Sequence, residues 1–135
     1  MVTADTNIVF YALTSCDKTD RAEQALTEIT FISVQVLNEF AAASRRKMRR
    51  SWIDIERDLD RIRSWVPAIK PVHANANRTA VALATRYGLA FYDALMIAVG
   101  LANGATVLYS EDMQHGLVVD GSLTIVNPFL TATSA

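Results

Sequence analysis

Short apolar runs that alternate with longer amphipathic segments constrain the fold of this chain more than any other feature of its sequence. Runs such as 2–4 and 106–109 have the length of buried strands, and many segments between the runs carry apolar residues at helical spacing. This alternation is typical of βα units built around a parallel sheet. The sequence therefore predicts an α/β fold.

Strands and helices can be assigned along most of the chain. Five strands are predicted, at Val2–Ala4, Phe31–Ile32, Pro67–Val72, Thr106–Tyr109 and Leu123–Val126. The predicted helices cover Ala22–Ile29, Val36–Ser44 with Ser33 as N-cap, Ser51–Val66, Ala76–Tyr87 with Gly88 as its stop, the apolar segment Tyr92–Asn103 and a helical turn at Glu111–His115. We expect the tail Thr131–Ala135 to be frayed.

Length and composition describe an ordinary globular protein. A chain of 135 residues fits one domain spanning residues 1–135. A net charge of −1 gives no indication of a nucleic-acid partner. The single cysteine, Cys16, excludes an internal disulfide. No apolar stretch approaches the roughly 20 residues needed to cross a bilayer, and the N-terminus does not have the pattern of a signal peptide. We therefore expect a cytoplasmic protein.

Four acidic residues fall where predicted strands end or where the following helices run. Asp5 ends the first strand, Glu39 lies in the helix after the second, Asp93 opens the apolar helix, and Asp112 follows the fourth strand. In parallel α/β sheets, sites form outside the carboxyl ends of the strands. We therefore expect the four carboxylates to lie on or near one edge of the sheet.

Each acid also has a structural interpretation when it is taken alone. Asp93 and Asp112 fall in predicted first turns of helices, where acids are favoured by unpaired N–H groups. Glu39 shares a polar helix face with Gln35 and Asn38 and would then simply be solvated. Asp5 fits such a role least well, because an acid at the buried end of a strand needs a partner.

The scarcity of neighbouring cations favours a metal site over four separate structural roles. Segments 4–12, 90–101 and 106–117 contain no lysine or arginine. Clustered carboxylates without cationic neighbours repel one another, which raises their pKa values or requires a bound cation. Carboxylate oxygens suit Mg²⁺ or Mn²⁺, and such an ion can activate water and neutralise charge on a phosphodiester. The pattern therefore indicates nuclease chemistry.

Four short motifs occur in order along the chain. They are Asp5-Thr6-Asn7, Val36-Leu37-Asn38-Glu39-Phe40, Phe91-Tyr92-Asp93-Ala94-Leu95 and Ser110-Glu111-Asp112-Met113-Gln114-His115-Gly116. Together they resemble the PIN-domain family and, within it, the VapC-type toxins of toxin–antitoxin pairs. The resemblance implies a three-layer α/β/α sandwich with a central parallel sheet. It also implies cleavage of RNA phosphodiesters that depends on Mg²⁺ or Mn²⁺, and a cognate antitoxin as partner.

The same resemblance implies a role for each of the four acids. Asp5 and Asp93 would be the central metal ligands. Glu39 and Asp112 would complete the metal shell, partly through water, and would position or deprotonate the attacking water.

Other polar residues near the motifs are given lesser roles. Asn7 and Ser110 match the family positions that orient the acids. Glu111 is an additional acid whose side chain we expect to point outward. The two histidines, His73 and His115, are interpreted as surface residues without a chemical role.

The basic run Arg45–Arg50 holds five of the thirteen lysines and arginines and is expected in a loop. Two interpretations stay open for it, a solvated surface cluster and a surface that grips RNA phosphates.

The helix predicted in Ser51–Val66 carries a wide apolar stripe opposite a charged face. We expect part of this stripe to meet a second copy of the chain or an antitoxin segment. The charged face is interpreted as solvated. The stripe consists of Trp52, Ile55, Leu59, Ile62 and Trp65, and the charged face of Glu56, Arg57, Asp58, Asp60, Arg61 and Arg63.

Two other aspartate-based chemistries fit the sequence less well. A phospho-accepting receiver domain would need adjacent acids after the first strand and a lysine after a late strand, where segment 106–116 has none. A phosphatase with an aspartyl nucleophile would need an acid two positions after Asp5, where this chain has Asn7. A catalytically inactive PIN-shaped module that binds RNA or protein remains the alternative, and a cleavage assay separates it from the nuclease.

Overall fold

The computed structural model describes residues 1–130, which contain six strands and six helices. Their order is β1 (Val2–Ala4), α1 (Thr6–Leu13), α2 (Thr19–Glu28), β2 (Ile32–Ser33), α3 (Val34–Arg46), α4 (Trp52–Trp65), β3 (Ile69–Lys70), α5 (Ala74–Tyr87), α6 (Phe91–Ala102), β4 (Val107–Tyr109), β5 (Val118–Val119) and β6 (Leu123–Val126). The predicted fraying of Thr131–Ala135 concerns residues outside this part of the chain.

The strands form a four-stranded sheet in the order β1-β4-β6-β5 and a two-stranded sheet of β2 and β3. All pairs are parallel except β5 with β6. Hydrogen bonds join the two sheets, since the backbone N–H of Thr30 donates to the carbonyl of Val2 at 2.7 Å. Strand β1 therefore lies between β4 and the segment that enters β2, and the end of β1 is an interior position.

Helices flank the sheet in two groups. Helix α1 packs against α2 and α3, and α3 packs against α4, whereas α5 packs against α6. Helix α6 is buried from Ala94 to Gly100, as its apolar sequence predicts, and lies against the sheet. A Cβ atom added at Gly100 would come within 3.0 Å of Leu123 Cδ1 on β6, so the helix approaches that strand closely. The result is the predicted α/β/α sandwich around a mostly parallel sheet.

Within residues 1–130, no single helix is both long and apolar enough to span a bilayer. Helices α5 and α6 reach the required length and hydropathy only as a pair, which is bent by 117° at its break.

Local signals in the sequence set several element boundaries. Strands Val2–Ala4 and Leu123–Val126 have the predicted bounds. The Ser33 hydroxyl accepts from the backbone N–H of Gln35 and caps α3, and Gly88 ends α5 with a left-handed backbone conformation at φ 68°. Both effects satisfy backbone groups that a helix end leaves unpaired.

Several elements differ from the sequence-based prediction. Strand β3 is shorter than the predicted Pro67–Val72, and β5 was not predicted. The predicted helical turn at Glu111–His115 does not form. Residues 111–113 are bends and residues 115–116 form a turn, and the Met113 N–H donates to the side chain of Ser110, at Oγ, over 3.3 Å. Helix α1 was not predicted, although Asp5 caps it. Its residues 8–13 are apolar on all sides, so they lack the periodicity that reveals an amphipathic helix.

Helix α4 uses its apolar stripe mainly to close the core. Ile55, Leu59 and Ile62 are buried, so the stripe leaves mainly Trp52, 59% exposed, for a partner. The prediction of a solvated charged face is wrong at Asp58, which is buried and forms an ion pair with Arg50.

Candidate active site

Asp5 is the most buried of the four predicted site acids. Its side chain caps the N-terminus of α1, and its Oδ1 accepts from the backbone N–H of Thr6 at 2.8 Å. Its other oxygen, Oδ2, accepts from the Ser110 hydroxyl at 2.9 Å. The parallel pairing of β1 with β4 makes this second contact possible, because it puts residues that follow the two strands side by side.

The electrostatic environment of Asp5 disfavours its charged form. Burial is the largest cause and raises the pKa of Asp5 to about 6, against the lowering effect of the hydrogen bonds from Thr6 and Ser110. The negative charges of Glu39 and Asp93 contribute smaller parts of this increase. These two acids therefore lie close enough to Asp5 to interact with it electrostatically, as their predicted positions at the sheet edge require.

Glu39 is half-buried on α3 and is not merely solvated. Its Oε2 accepts a hydrogen bond of 2.6 Å from the hydroxyl of Thr6. We did not single out Thr6 from the sequence. Its position directly after Asp5, at the edge where the strands end, is the signal that would have found it.

Asp112 lies on the exposed side of the same edge. Its Oδ2 accepts from Asn7 Nδ2 at 3.1 Å, and Asn7 Oδ1 accepts from the backbone N–H of Glu111 at 3.3 Å. The side-chain amide of Asn7 on α1 thus holds the loop after β4 by two hydrogen bonds. Asn7 and Ser110 both contact acids of the site, which is the kind of contact that the resemblance implies for them.

Asp93 lies in the first turn of α6, half-buried. The N-cap of this helix is Ala90, so Asp93 does not occupy the capping position itself. Its pKa is raised, first by burial and then by the charges of Asp112 and Glu39. The structure therefore brings all four predicted acids into one electrostatically coupled group.

The side chains of the coupled group do not lie close enough together to form a metal site. In the described part of the chain, no three acidic, histidine or cysteine side chains are arranged closely enough to hold a metal ion. The effects of neighbouring charges on the pKa values of Asp5 and Asp93 show proximity, and repulsion between the carboxylates opposes any closer approach of uncompensated charges.

A cleft of about 580 Å³ opens beside these acids. It is bounded by the start of α1, one face of α3, the start of α6 and the loop after β4. Its lining residues are Thr6, Asn7, Phe10, Gln35, Asn38, Glu39, Ala42, Ala43, Arg46, Lys47, Tyr92 and Asp112.

The basic run divides between the cleft and the rest of the surface. Arg46 and Lys47 line the cleft together with Glu39 and Asp112. Arg45 instead lies over the ring of Trp52, 5.0 Å from its centroid, and Arg50 pairs with Asp58. The expectation of a loop is wrong for the first two residues, because α3 continues to Arg46. Arg46 and Lys47 are therefore the residues of the run that line the cleft and could meet a ligand there.

Glu111 does not point outward. Its Oε1 forms an ion pair with Lys18 Nζ at 2.5 Å, and Lys18 also lies over the ring of Tyr11, 4.8 Å from its centroid. This cation comes from a distant segment, which is why the local sequence around Asp112 did not reveal it. The two histidines, His73 and His115, are exposed.

Comparison with known proteins gives a family match and a set of similar folds. The family model described as PIN domain matches residues 2–117. No curated protein sequence matches the chain.

Three solved structures share the fold at low sequence identity. A toxin–antitoxin complex from Klebsiella pneumoniae has a TM-score of 0.73 at 20% identity, covering 96% of this chain and 98% of that chain. Mycobacterium tuberculosis VapC20, described as a sarcin–ricin loop cleaving toxin, has a TM-score of 0.67 at 18% identity, covering 83% and 90%. VapBC2 from Rickettsia felis, bound to a DNA fragment from its promoter, has a TM-score of 0.65 at 21% identity, covering 93% and 97%.

Proposed function

Because this chain belongs to the PIN-domain family, we propose that it is a metal-dependent ribonuclease that hydrolyses RNA phosphodiesters at the acidic cleft. The coupled group of Asp5, Glu39, Asp93 and Asp112 is the observation that carries the proposal. Burial and neighbouring acids raise the pKa values of Asp5 and Asp93, as expected for carboxylates whose charge a bound cation would compensate.

The donor chemistry of the group fits a hard divalent cation. Carboxylate oxygens are preferred by Mg²⁺ and Mn²⁺, and Mg²⁺ typically uses one or two carboxylates together with water. Asp5 and Asp93 would be the direct ligands, with Glu39 and Asp112 completing the shell, partly through water. Formation of this site would require side-chain rotation, for which the half-buried Asp93 and the exposed Asp112 have room.

Four residues that line the cleft have roles in this reaction. The bound ion would polarise water and neutralise charge on the phosphate. Glu39 and Asp112 would orient the attacking water, and one of the two carboxylates would take up its proton as the new P–O bond forms. The P–O bond to the leaving ribose oxygen would break, and that oxygen would take a proton from solvent. Thr6 and Asn7 hold these two carboxylates in place by hydrogen bonds, which limits the reorientation needed before reaction.

We also propose that the protein is the toxin of a toxin–antitoxin pair and acts as a homodimer in the cytoplasm. The Klebsiella and Rickettsia neighbours support the toxin role, since they are toxin–antitoxin assemblies. A cognate antitoxin would silence the cleft by placing a basic side chain among its acids, a charge-assisted contact. The exposed Trp52 and Ile53 of α4 offer an apolar surface for self-association.

A cleavage assay tests the enzyme. Purified protein is incubated with single-stranded and structured RNAs in Mg²⁺, in Mn²⁺ and in EDTA. We expect cleavage only with metal, and its loss in Asp5→Ala and Asp93→Ala. Asp60→Ala removes an exposed acid of α4 and serves as the matched control.

Cleavage that survives EDTA, or that persists in Asp93→Ala, would contradict the assignment. RNA that is bound by the wild type but never cut would instead indicate an inactive binding module. Normal growth of cells that express the chain alone would count against the toxin role.

A further inference from the structure

Tyr92 is a large aromatic residue exposed at the mouth of the cleft. It lies in the first turn of α6, directly before Asp93, and is 58% exposed. The Phe91 ring lies 5.3 Å away, centroid to centroid, at 76° and so supports it in an edge-to-face arrangement. Burial in the core does not explain an aromatic residue in this position, so its ring is available to a ligand.

The opposite wall of the cleft is suited to a charged polymer. Arg46 and Lys47 are exposed cations at the end of α3, and Gln35 and Asn38 add amide groups along the same helix. Proteins that hold single-stranded nucleic acids combine such cations, which meet phosphates, with aromatic rings on which bases stack. The volume of about 580 Å³ lies in the range of clefts that take small organic ligands. Cations, amides and an aromatic face thus surround one nucleotide-sized space.

We propose that Tyr92 is the platform on which one unpaired base of the RNA stacks, so that the cleft takes a nucleotide from a single strand or a loop. This inference rests on the proposed ribonuclease function. In a duplex, both faces of a base are covered by its neighbours, and a side chain can stack on it only after the base has left the helix. Tyr92 lines the same cleft as Glu39 and Asp112, so the stacked nucleotide would flank the phosphodiester that is cut.

Stacking on an aromatic ring determines which RNA strands the cleft selects. Every base has a π face, so a single aromatic platform selects for an unpaired strand and tolerates different bases. Arg46 and Lys47 contribute salt-dependent binding of the RNA phosphates, which has no sequence preference. The cleft therefore distinguishes single strands from duplexes more strongly than it distinguishes one base from another.

Two substitutions at Tyr92 separate stacking from ordinary apolar contact. Tyr92→Phe keeps the ring, whereas Tyr92→Leu keeps an apolar but shorter side chain without a π face. Binding is measured in EDTA, where no cleavage occurs, with a short single-stranded RNA that carries 2-aminopurine. We expect the fluorescence of this base to be quenched by the wild type and Tyr92→Phe. Tyr92→Leu should bind about tenfold more weakly, without quenching, since one stacked base contributes about one order of magnitude of affinity.

A second measurement compares cleavage of single-stranded RNA and of the same sequence in a duplex. The wild type should prefer the single strand, and Tyr92→Leu should lose most of this preference. An unchanged rise in melting temperature with Mn²⁺ shows that Asp93 still binds metal in the variant.

Equal affinity of Tyr92→Leu and the wild type for the single strand, or unquenched fluorescence with both, would overturn the inference. If the wild type binds and quenches but never cuts RNA, the proposed ribonuclease function fails while the stacking site stands. If the wild type cuts RNA and Tyr92→Leu behaves identically in both measurements, the function stands and the stacking site fails.

Discussion

Replacing Asp5 with asparagine should stabilise the metal-free protein at neutral pH and destabilise it in acid. In the folded chain the pKa of Asp5 is raised from 3.8 to about 6, chiefly by burial. Between these two values the folded state binds more protons than the unfolded state, so the free energy of unfolding falls as pH rises. The destabilising effect of Asp5 is absent below pH 3.8 and complete above about pH 6.

The size of the effect follows from the two pKa values. Their difference of about 2.2, at about 1.36 kcal/mol per pH unit, corresponds to about 3 kcal/mol at pH 7. Asparagine keeps a carbonyl that accepts from the Thr6 N–H, but its amide replaces the oxygen that accepts from Ser110. The altered contact costs about 1 kcal/mol. Asp5→Asn should therefore be about 2 kcal/mol more stable than the wild type at pH 7 and about 1 kcal/mol less stable below pH 3.8.

Urea unfolding of both proteins in EDTA, from pH 3.5 to pH 8, measures this difference directly. Subtraction removes the contributions of the titrating groups that do not interact with Asp5, which both proteins share. Asp60→Asn, at an exposed position of α4, should differ from the wild type by a constant amount. A difference between Asp5→Asn and the wild type that keeps one sign across the whole range would refute the reasoning.

Metal binding and RNA binding give two further predictions. Metal-free Asp93→Asn should melt about 4 °C above the wild type if about 1 kcal/mol of repulsion survives screening, whereas Mn²⁺ should raise the melting temperature of the wild type alone. Equal shifts with Mn²⁺ in scanning calorimetry would mean that Asp93 is not a ligand. Replacing both Arg46 and Lys47 with glutamine should weaken RNA binding and reduce its logarithmic salt slope by about 0.7 per cation removed. Arg57→Gln, exposed on α4, is the matched control, and an unchanged slope in the double variant would exclude phosphate contacts by Arg46 and Lys47.

Local patterns in the sequence were sufficient to predict most elements of the fold. Val2–Ala4 and Leu123–Val126 were predicted at their observed bounds because each is an apolar or β-branched run that ends at a polar residue or at the residue before proline. Ser33 and Gly88 marked helix ends through chemistry that depends on one residue each. Because strand ends are local and parallel strands share an edge, the gathering of the four acids could also be predicted.

Features that depend on distant residues, or that lack a periodic pattern of apolar residues, could not be predicted from the local sequence. Strand β5 has only two residues, and its antiparallel pairing with β6 depends on the turn between them. Lys18 reaches Glu111 across 93 positions, so no window around Glu111 contains its partner. The hydroxyl of Thr6 was overlooked for the same reason, since its partner Glu39 lies 33 positions away and belongs to another helix.

The hydrogen bonds that hold the acids have a consequence for the synthesis of the protein. Asp5 and Ser110 are 105 positions apart in the chain, and so are Asn7 and Asp112. At about 5–20 residues per second, a ribosome needs roughly 5–20 s to proceed from one member of each pair to the other. Throughout that interval the nascent chain has Asp5 and Asn7 but neither of their partners from the segment after β4. An enzyme that cuts RNA would thus stay incomplete until the ribosome had translated the part of its message that encodes Ser110 and Asp112.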